Sequence, residues 1–495
     1  MNSKHSILNG SPAQTNGEKK FGSEAHASPD GDIVPVIIVG AGPVGLLLAL
    51  RLAQSNIRSV ILEQETTLGA APRAIGYYGP VHNVFKEAGI YDQVAKEGMP
   101  SGGYVWRTLP TEDQKGTKTL GSVLCRNIMS CPDSEGQYKI CTYSIQLAQC
   151  RLAEIMLEEV TRTGLSEVLW GHRVTGMDQD ESGVTVTAVA EAGESKSFRG
   201  LYLAGCDGGK SHVRKLLGIR LAGHSWPERF IATDVLRTAP VVADPPVHFT
   251  VDPRYWGVVT PLEHVKPGVR GLWRYSMAVP AYEEAEDGSQ VFLTDEQVVE
   301  PKYVNSLLLR QIDGPRPSDH VVVRKSLYKM HQLLASTMHR GRCFLAGDAA
   351  HINNPIGGLG LCTGLLDADA LHQTLEIAFS LGEGDKGKHH SSTTSGINGI
   401  RGFGYGSRRS IDLQTLFSRY SSERRRVFQN IIHPYSSANK TRLHSADPED
   451  TAREDWYFQA LRRGDPKELE SINAPLYNSW RTDMWSLVGT SLKDI

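Results

Sequence analysis

The sequence predicts an α/β fold in which a parallel, nucleotide-binding sheet is interrupted by a smaller β-sheet region. Three observations predict it: a β-branched run ending in a glycine-spaced turn and a helix near residue 40, two later apolar runs that each end in glycine and aspartate near residues 205 and 347, and an intervening stretch whose apolar residues alternate with period two. A length of 495 residues exceeds one simple core and suits two or three domains.

The first element is Val36-Ile37-Ile38-Val39, a strand that tolerates Pro35 because proline stands at its beginning. Gly40-Ala41-Gly42-Pro43-Val44-Gly45 follows, then a helix through Leu46–Ala53 and a second strand, Ser59–Glu63. In such a unit Gly40 permits the tight turn, Gly42 lets the backbone approach a pyrophosphate, and Gly45 lets the helix pack close to the strand. The helix N-terminus supplies anion binding, while Glu63 can accept ribose hydroxyls and disfavours a 2′-phosphate. A bound dinucleotide follows, either NAD or FAD.

Two later motifs decide between them. Leu201–Arg214 is an apolar strand running into Cys206-Asp207-Gly208-Gly209 and a basic helix start, and Arg342–His351 is another strand ending in Gly347-Asp348, followed by Pro355-Ile356-Gly357-Gly358-Leu359-Gly360. These resemble the Asp-Gly and second FAD fingerprints of the class A flavoprotein monooxygenases, the para-hydroxybenzoate hydroxylase family. Pro72-Arg73-Ala74 resembles that family's arginine near the flavin, and Gln149-Cys150-Arg151-Leu152 its glutamine-containing helix start. The resemblance covers roughly residues 33–430. It implies a Rossmann-type FAD-binding domain interleaved with a smaller β-sheet substrate domain. Its expected cofactor contacts are Gly40, Gly42, Gly45, Glu63, Arg73, Gln149, Asp207, Asp348, Gly358 and Gly360. Asp348 can accept a ribitol or ribose hydroxyl, and the helix after Gly360 can aim its positive end at the flavin. The chain departs from the family at Leu359 and Cys362, where Gln and Asn are usual; Cys362 reads as a buried inert thiol rather than a covalent flavin link.

Between the last two fingerprints, Tyr255–Thr260 and Gly271–Val279 read as strands. Alternation puts Trp273, Tyr275, Met277 and Val279 on one face and Leu272, Arg274, Ser276 and Ala278 on the other. Trp273, Arg274 and Tyr275 are therefore the candidate substrate contacts, with core packing as the competing role for the aromatics. His82 reads as a structural histidine, and no catalytic base is nominated.

The implied layout is a disordered tail at 1–32, an FAD-binding domain at 33–225 and 325–440 with a flexible insertion at 382–409, a substrate domain at 226–324, and a C-terminal extension at 441–495 without a readable motif. Trp456, Trp480 and Trp485 in that extension suit either a cover over the substrate entrance or a homodimer contact. Composition excludes other classes: 40% hydrophobic and 22% charged residues with a net charge of -2 describe a globular protein with no basic field for nucleic acid. Arg424-Arg425-Arg426 reads as a solvated helix face. Seven cysteines without a C-x-x-C pair, and a polar first segment without an apolar core, point to the reducing cytoplasm. Val34–Leu52 approaches a membrane span but holds Pro35, Pro43 and the turn glycines, so no span is expected, and no metal site is read.

The activity implied is hydroxylation of a phenolic or related aromatic, polyketide-like small molecule, with NAD(P)H and O2 as co-substrates, through a flavin C4a-hydroperoxide. Baeyer–Villiger insertion and epoxidation are close variants, and a non-enzymatic dinucleotide-binding sensor is the alternative from another class. A halogenase is disfavoured because no Trp-x-Trp-x-x-Pro segment occurs.

Overall fold

The computed structural model describes residues 33–71, 73–128, 143–241, 244–381 and 412–491; the expected tail and insertion lie outside them. Runs rich in Val, Ile and Leu form the centre of a first sheet, where the consecutive residues Val36, Ile37 and Ile38 are all fully buried, so both of its faces are covered. Its strand order is Ser166–Leu169, Ser59–Leu62, Val34–Val39, Ser195–Gly205, Gly183–Ala190 and His172–Asp180. Cys343–Leu345 lies beside the carboxyl half of Ser195–Gly205. Pairing is parallel among the first four strands and with Cys343–Leu345, so Val39, Leu62, Gly205 and Leu345 all end at one edge. In open α/β sheets that edge is where ligands bind. Helix Pro43–Gln54 starts earlier than its apolar run suggested and packs against Gln149–Thr163 and Leu359–Ser380.

The second sheet runs His351–Ile352, His320–Ala335, Leu221–Thr238, Arg270–Val279, Gly257–Pro261, Val247–Thr250, Gly103–Arg107 and Val123–Ile128. It draws strands from 103–128, well before residue 226, because Val247–Thr250 pairs in parallel with Gly103–Arg107. One face packs Trp273, Tyr275 and Met277 against Val304, Leu307 and Leu308 of helix Pro301–Gln311. The other face packs Phe230, Trp256 and Ala278 with Trp106, Phe249 and Ile356.

The motif-poor C-terminal residues are helical, in Pro448–Glu454, Trp456–Arg463, Pro466–Asn478 and Met484–Ser491. Asp447, Asp455 and Asp465 cap the first three by accepting backbone N–H groups, a signal present in the sequence as two Asp-Pro pairs and Asp455 before Trp456. Tyr457, Phe458 and Leu461 of the second of these helices cover the Trp106 and Phe249 face, so part of the extension overlies the second sheet. Trp480 is fully buried, whereas Trp456 and Trp485 are exposed.

Arg424 corrects the expectation of a solvated basic face. Helix Leu413–Val427 turns it inward with Phe417, Tyr420 and Ser421, at the spacing of one helix face, and it is buried against Asp367. Only Arg426 behaves as expected, exposed and paired with Glu423. Among the described residues no helix is long and apolar enough to cross a membrane.

Candidate active site

The glycine turn at the end of Val34–Val39 meets a different steric condition at each glycine. Gly40 has φ +105°, and a Cβ there would lie 2.6 Å from the Cys206 carbonyl oxygen. At Gly45 a Cβ would lie 2.0 Å from the Gly40 carbonyl oxygen, so helix and turn meet backbone to backbone. A Cβ on Gly42 would meet nothing within 4 Å, which leaves that side of the turn open for a close approach. Gly42 is also the N-cap of Pro43–Gln54, with no side-chain cap and no acid in the first turn. The helix N–H groups and dipole are therefore left for an external anion. Glu63 is braced beside them: its carboxylate accepts the Ala41 N–H at 2.7 Å and the Glu65 N–H at 2.9 Å, and lone pairs remain for ribose hydroxyls.

Asp207 stands at the neighbouring strand end. One of its oxygens accepts the His212 and Val213 N–H groups at 2.6 and 3.1 Å, at the start of helix His212–Leu216, whose N-cap is Ser211. Its other oxygen is buried without a hydrogen-bond partner among the described residues. Arg214, which is buried, donates to the Gly209 and Ala349 carbonyls, each at 2.9 Å, and so ties the Asp-Gly turn to the turn that carries Asp348.

Asp348 is exposed within that turn. Burial of the surrounding recess pushes its carboxyl above the ordinary aspartate range, opposed by the positive potential of His351 and Arg73. Gly357 and Gly358, at φ +93° and +67°, then lead into helix Leu359–Ser380, whose N-cap is Gly358. The helix starts before Gly360, not after it, because the left-handed Gly358 already completes the turn. It repeats the pattern of the first helix: a glycine N-cap, no side-chain cap and no acid in the first turn. Side chains from distant elements hold the loop. Tyr78 donates to the Gly357 carbonyl at 2.5 Å, Gln332 accepts from the Asn354 backbone and amide at 3.1 and 3.0 Å, and Ser436 donates to Asn353 at 2.8 Å. None of these three was readable beforehand, since each is an isolated polar residue whose partner lies far along the chain.

Arg73 has φ +32°, unusual for a residue with a side chain, in a segment that crosses toward the second sheet. Gln149 exchanges hydrogen bonds with its neighbour Ala74 at 3.0 and 3.4 Å, so these two expected contacts do come together. Arg274 donates to the Arg73 carbonyl and forms a two-pronged pair with Asp234 at 2.8 and 3.1 Å. Arg274 thus faces the Arg73 segment with its charge already paired. Trp273 and Tyr275 do not reach it. They are 2% and 1% exposed in the core on the opposite face, where the Tyr275 hydroxyl accepts from Arg237 at 2.7 Å, because strand alternation sends neighbours of Arg274 the other way.

His82 is fully buried, with Nε2 2.8 Å from the Tyr77 carbonyl, and burial lowers its pKa to about 4. The Cys362 thiol donates to the Gly76 carbonyl at 3.3 Å and is pushed up to about 12 by burial, so it is no nucleophile toward a flavin. The residues present fit FAD: two uncapped glycine-started helices, a braced carboxylate at Glu63 and an exposed Asp348 meet at the carboxyl ends of adjacent parallel strands.

A family profile described as FAD binding domain matches residues 33–395. The chain is 30% identical over 445 residues to para-nitrophenol 4-monooxygenase of Pseudomonas sp. (strain WBC-3), spanning 88% of this chain and 96% of that protein. It is 29% identical over 430 residues to 6-hydroxy-3-succinoylpyridine 3-monooxygenase of Pseudomonas putida (strain DSM 28022 / S16), spanning 85% and 91%. The crystal structure of p-nitrophenol 4-monooxygenase from Pseudomonas putida DLL-E4 superposes with a TM-score of 0.71 at 28% identity, over 91% of this chain and 99% of that one. Since the matched region contains all three turns and the likeness runs nearly end to end, the chain belongs to the class A flavoprotein monooxygenases, FAD-dependent enzymes of the aromatic-hydroxylase type.

Proposed function

We propose that the protein uses NAD(P)H and O2 to hydroxylate a monocyclic phenol or a related hydroxylated heteroaromatic compound in the reducing cytoplasm. The observation that carries this reading is the contact between the two sheets. The Arg274–Asp234 pair reaches the Arg73 carbonyl from the same sheet face that packs Phe230, Trp256, Trp106 and Phe249, so the aromatic face looks toward the crevice of the three turns. Phe230 and Trp256 stack at 5.2 Å and Trp106 and Phe249 at 4.7 Å, and these four buried rings form an apolar backing to the crevice, in keeping with an aromatic substrate. The names of the two long relatives, a nitrophenol and a hydroxypyridine monooxygenase, favour one ring over a fused system.

When bound, FAD supplies the oxygen-activating chemistry once a nicotinamide nucleotide has reduced it. The protein's residues bind and orient. The Gly42 turn and the N-terminus of Pro43–Gln54 would hold the diphosphate, Glu63 and Asp348 would accept hydroxyls, and the N-terminus of Leu359–Ser380 would favour negative charge near it. The Tyr457, Phe458 and Leu461 helix excludes water from the aromatic wall. The nicotinamide nucleotide binds transiently in a groove, as no second glycine-spaced βαβ unit is present in the sequence.

The test is NAD(P)H consumption by the yellow holoenzyme against p-nitrophenol, hydroxybenzoates and hydroxypyridines under isotopically labelled O2. Substrate-dependent consumption with one labelled oxygen atom in the product is expected. A protein that takes up FAD yet consumes NAD(P)H at the same rate with and without every aromatic tested would overturn the proposed substrate class.

A further inference from the structure

One cluster of fully buried charges lies directly behind the Asp348 turn. Asp367, two turns into helix Leu359–Ser380, and Arg424 both have fully inaccessible side chains. One Asp367 oxygen accepts the Gly347 N–H at 3.0 Å and the His351 Nε2–H at 2.6 Å; the other accepts the Arg424 Nε–H at 2.7 Å. Arg424 in turn donates to the Trp480 carbonyl at 2.7 Å, the Thr482 hydroxyl at 3.1 Å and the Thr363 carbonyl at 3.3 Å. Arg481, between the two C-terminal partners, pairs with Asp369 at 2.9 Å and Glu87 at 2.7 Å.

Burying an ion pair seldom adds net stability over a packed apolar pair, so what the pair arranges is the more informative question. Gly347 and His351 bracket Asp348, and a single carboxylate oxygen grips both ends of that turn. On its other side the turn is held by Arg214 at the Ala349 carbonyl. Resting on the FAD reading, we propose that Asp367 and Arg424 are positioning residues through which residues 480–482 fix the Asp348 turn and thereby set FAD affinity. The pair would make the C-terminal segment, which lies outside the matched region 33–395, part of the cofactor-holding apparatus.

Two variants test this. Arg424→Lys keeps the charge but lacks the fork that spans Asp367 and residues 480–482. Thr482→Val keeps the shape and removes one Arg424 partner, which spares folding. FAD titration of the apoproteins, with the visible circular dichroism and midpoint potential of the bound flavin, is the readout. A rise in Kd of roughly 2- to 30-fold is expected, larger for Arg424→Lys, together with a changed visible dichroism. A purely structural role would lower the apoprotein melting temperature while leaving FAD Kd, dichroism and potential at wild-type values; that result overturns the proposal. If the wild-type protein itself takes up no FAD, the cofactor reading fails instead, and the two failures are distinct.

Discussion

The crevice of the first sheet and the face of the second are built from different kinds of information. Around Gly40, Gly42 and Gly45 the site consists of backbone, and the distances that matter run from one main chain to another. On strand Arg270–Val279 it consists of side chains, and adjacent residues part company: Arg274 turns to the Arg73 segment while Trp273 and Tyr275 enter the core against helix Pro301–Gln311. A backbone site depends on a few consecutive residues, whereas the role of a strand residue depends on what packs on each side of the sheet.

The largest effects are expected where backbone meets backbone. Gly45→Ala would force a Cβ to 2.0 Å from the Gly40 oxygen, a contact that only movement of helix Pro43–Gln54 can relieve. A loss of about 3 kcal/mol or more is expected, seen as colourless, poorly folded protein. Gly42→Ala should behave differently, because its Cβ meets nothing within 4 Å of protein. Its apoprotein should melt within about 2 °C of wild type. FAD Kd should nevertheless rise by about tenfold or more, as the methyl group occupies the approach of the pyrophosphate. Wild-type FAD affinity in Gly42→Ala would break the backbone account of the crevice.

The same contrast explains what could be read from sequence. The βαβ unit was readable because each glycine answers a local constraint, and the strand ended at Val39 as expected. Asp348, Arg73 and Gln149 were placed through a resemblance, and the last two do meet, through Ala74. Asp207 is expected beside the cofactors; one of its oxygens is taken by the His212 and Val213 N–H groups, and the other is buried without a partner among the described residues. Arg424 was misread because a run of three arginines does not show which one faces inward; the companions Phe417, Tyr420 and Ser421 on its helix face could have shown it. Tyr78, Gln332 and Ser436 could not be found at all, since their partners lie 279, 22 and 83 residues away along the chain.

Arg274 and Trp273 sharpen the comparison on a single strand. Arg274→Met leaves the Asp234 carboxylate, 5% exposed, without its partner, and removes the donor to the Arg73 carbonyl. A destabilisation of about 3 kcal/mol is expected, and kcat/KM should fall by about tenfold or more because the Arg73 segment loses its hold. Trp273→Phe removes an indole N–H that has no partner among the described residues, and should cost about 1–2 kcal/mol in a thermal melt. Its kinetic constants should match wild type. If Trp273→Phe instead raised KM while Arg274→Met did not, the two faces of the sheet would have to be exchanged.

The smallest effects are proton-linked, and each region supplies one. Burial lowers His82, beside the first sheet, and His248, on the second, to about 4; Arg107 adds to the effect at His248, against Asp313 and Asp244. The unfolded chain, with histidine near 6.5, binds the proton more tightly than the native state, so stability is complete above that value and is lost as pH falls toward 4. Each histidine should account for about 2 kcal/mol of loss at pH 5. Denaturation of His82→Gln and of His248→Gln should each show a slope between pH 5 and 6.5 reduced by nearly one proton. The two are alike at neutral pH, each ring holding one backbone hydrogen bond, His82 to Tyr77 and His248 to Pro245. His82→Gln and His248→Gln should therefore cost the same to within about 1 kcal/mol at pH 7.5. A cost confined to one of them would mean that the other ring's backbone bond is worth little, and an unchanged acid slope in His248→Gln would mean that the second sheet does not keep that ring neutral.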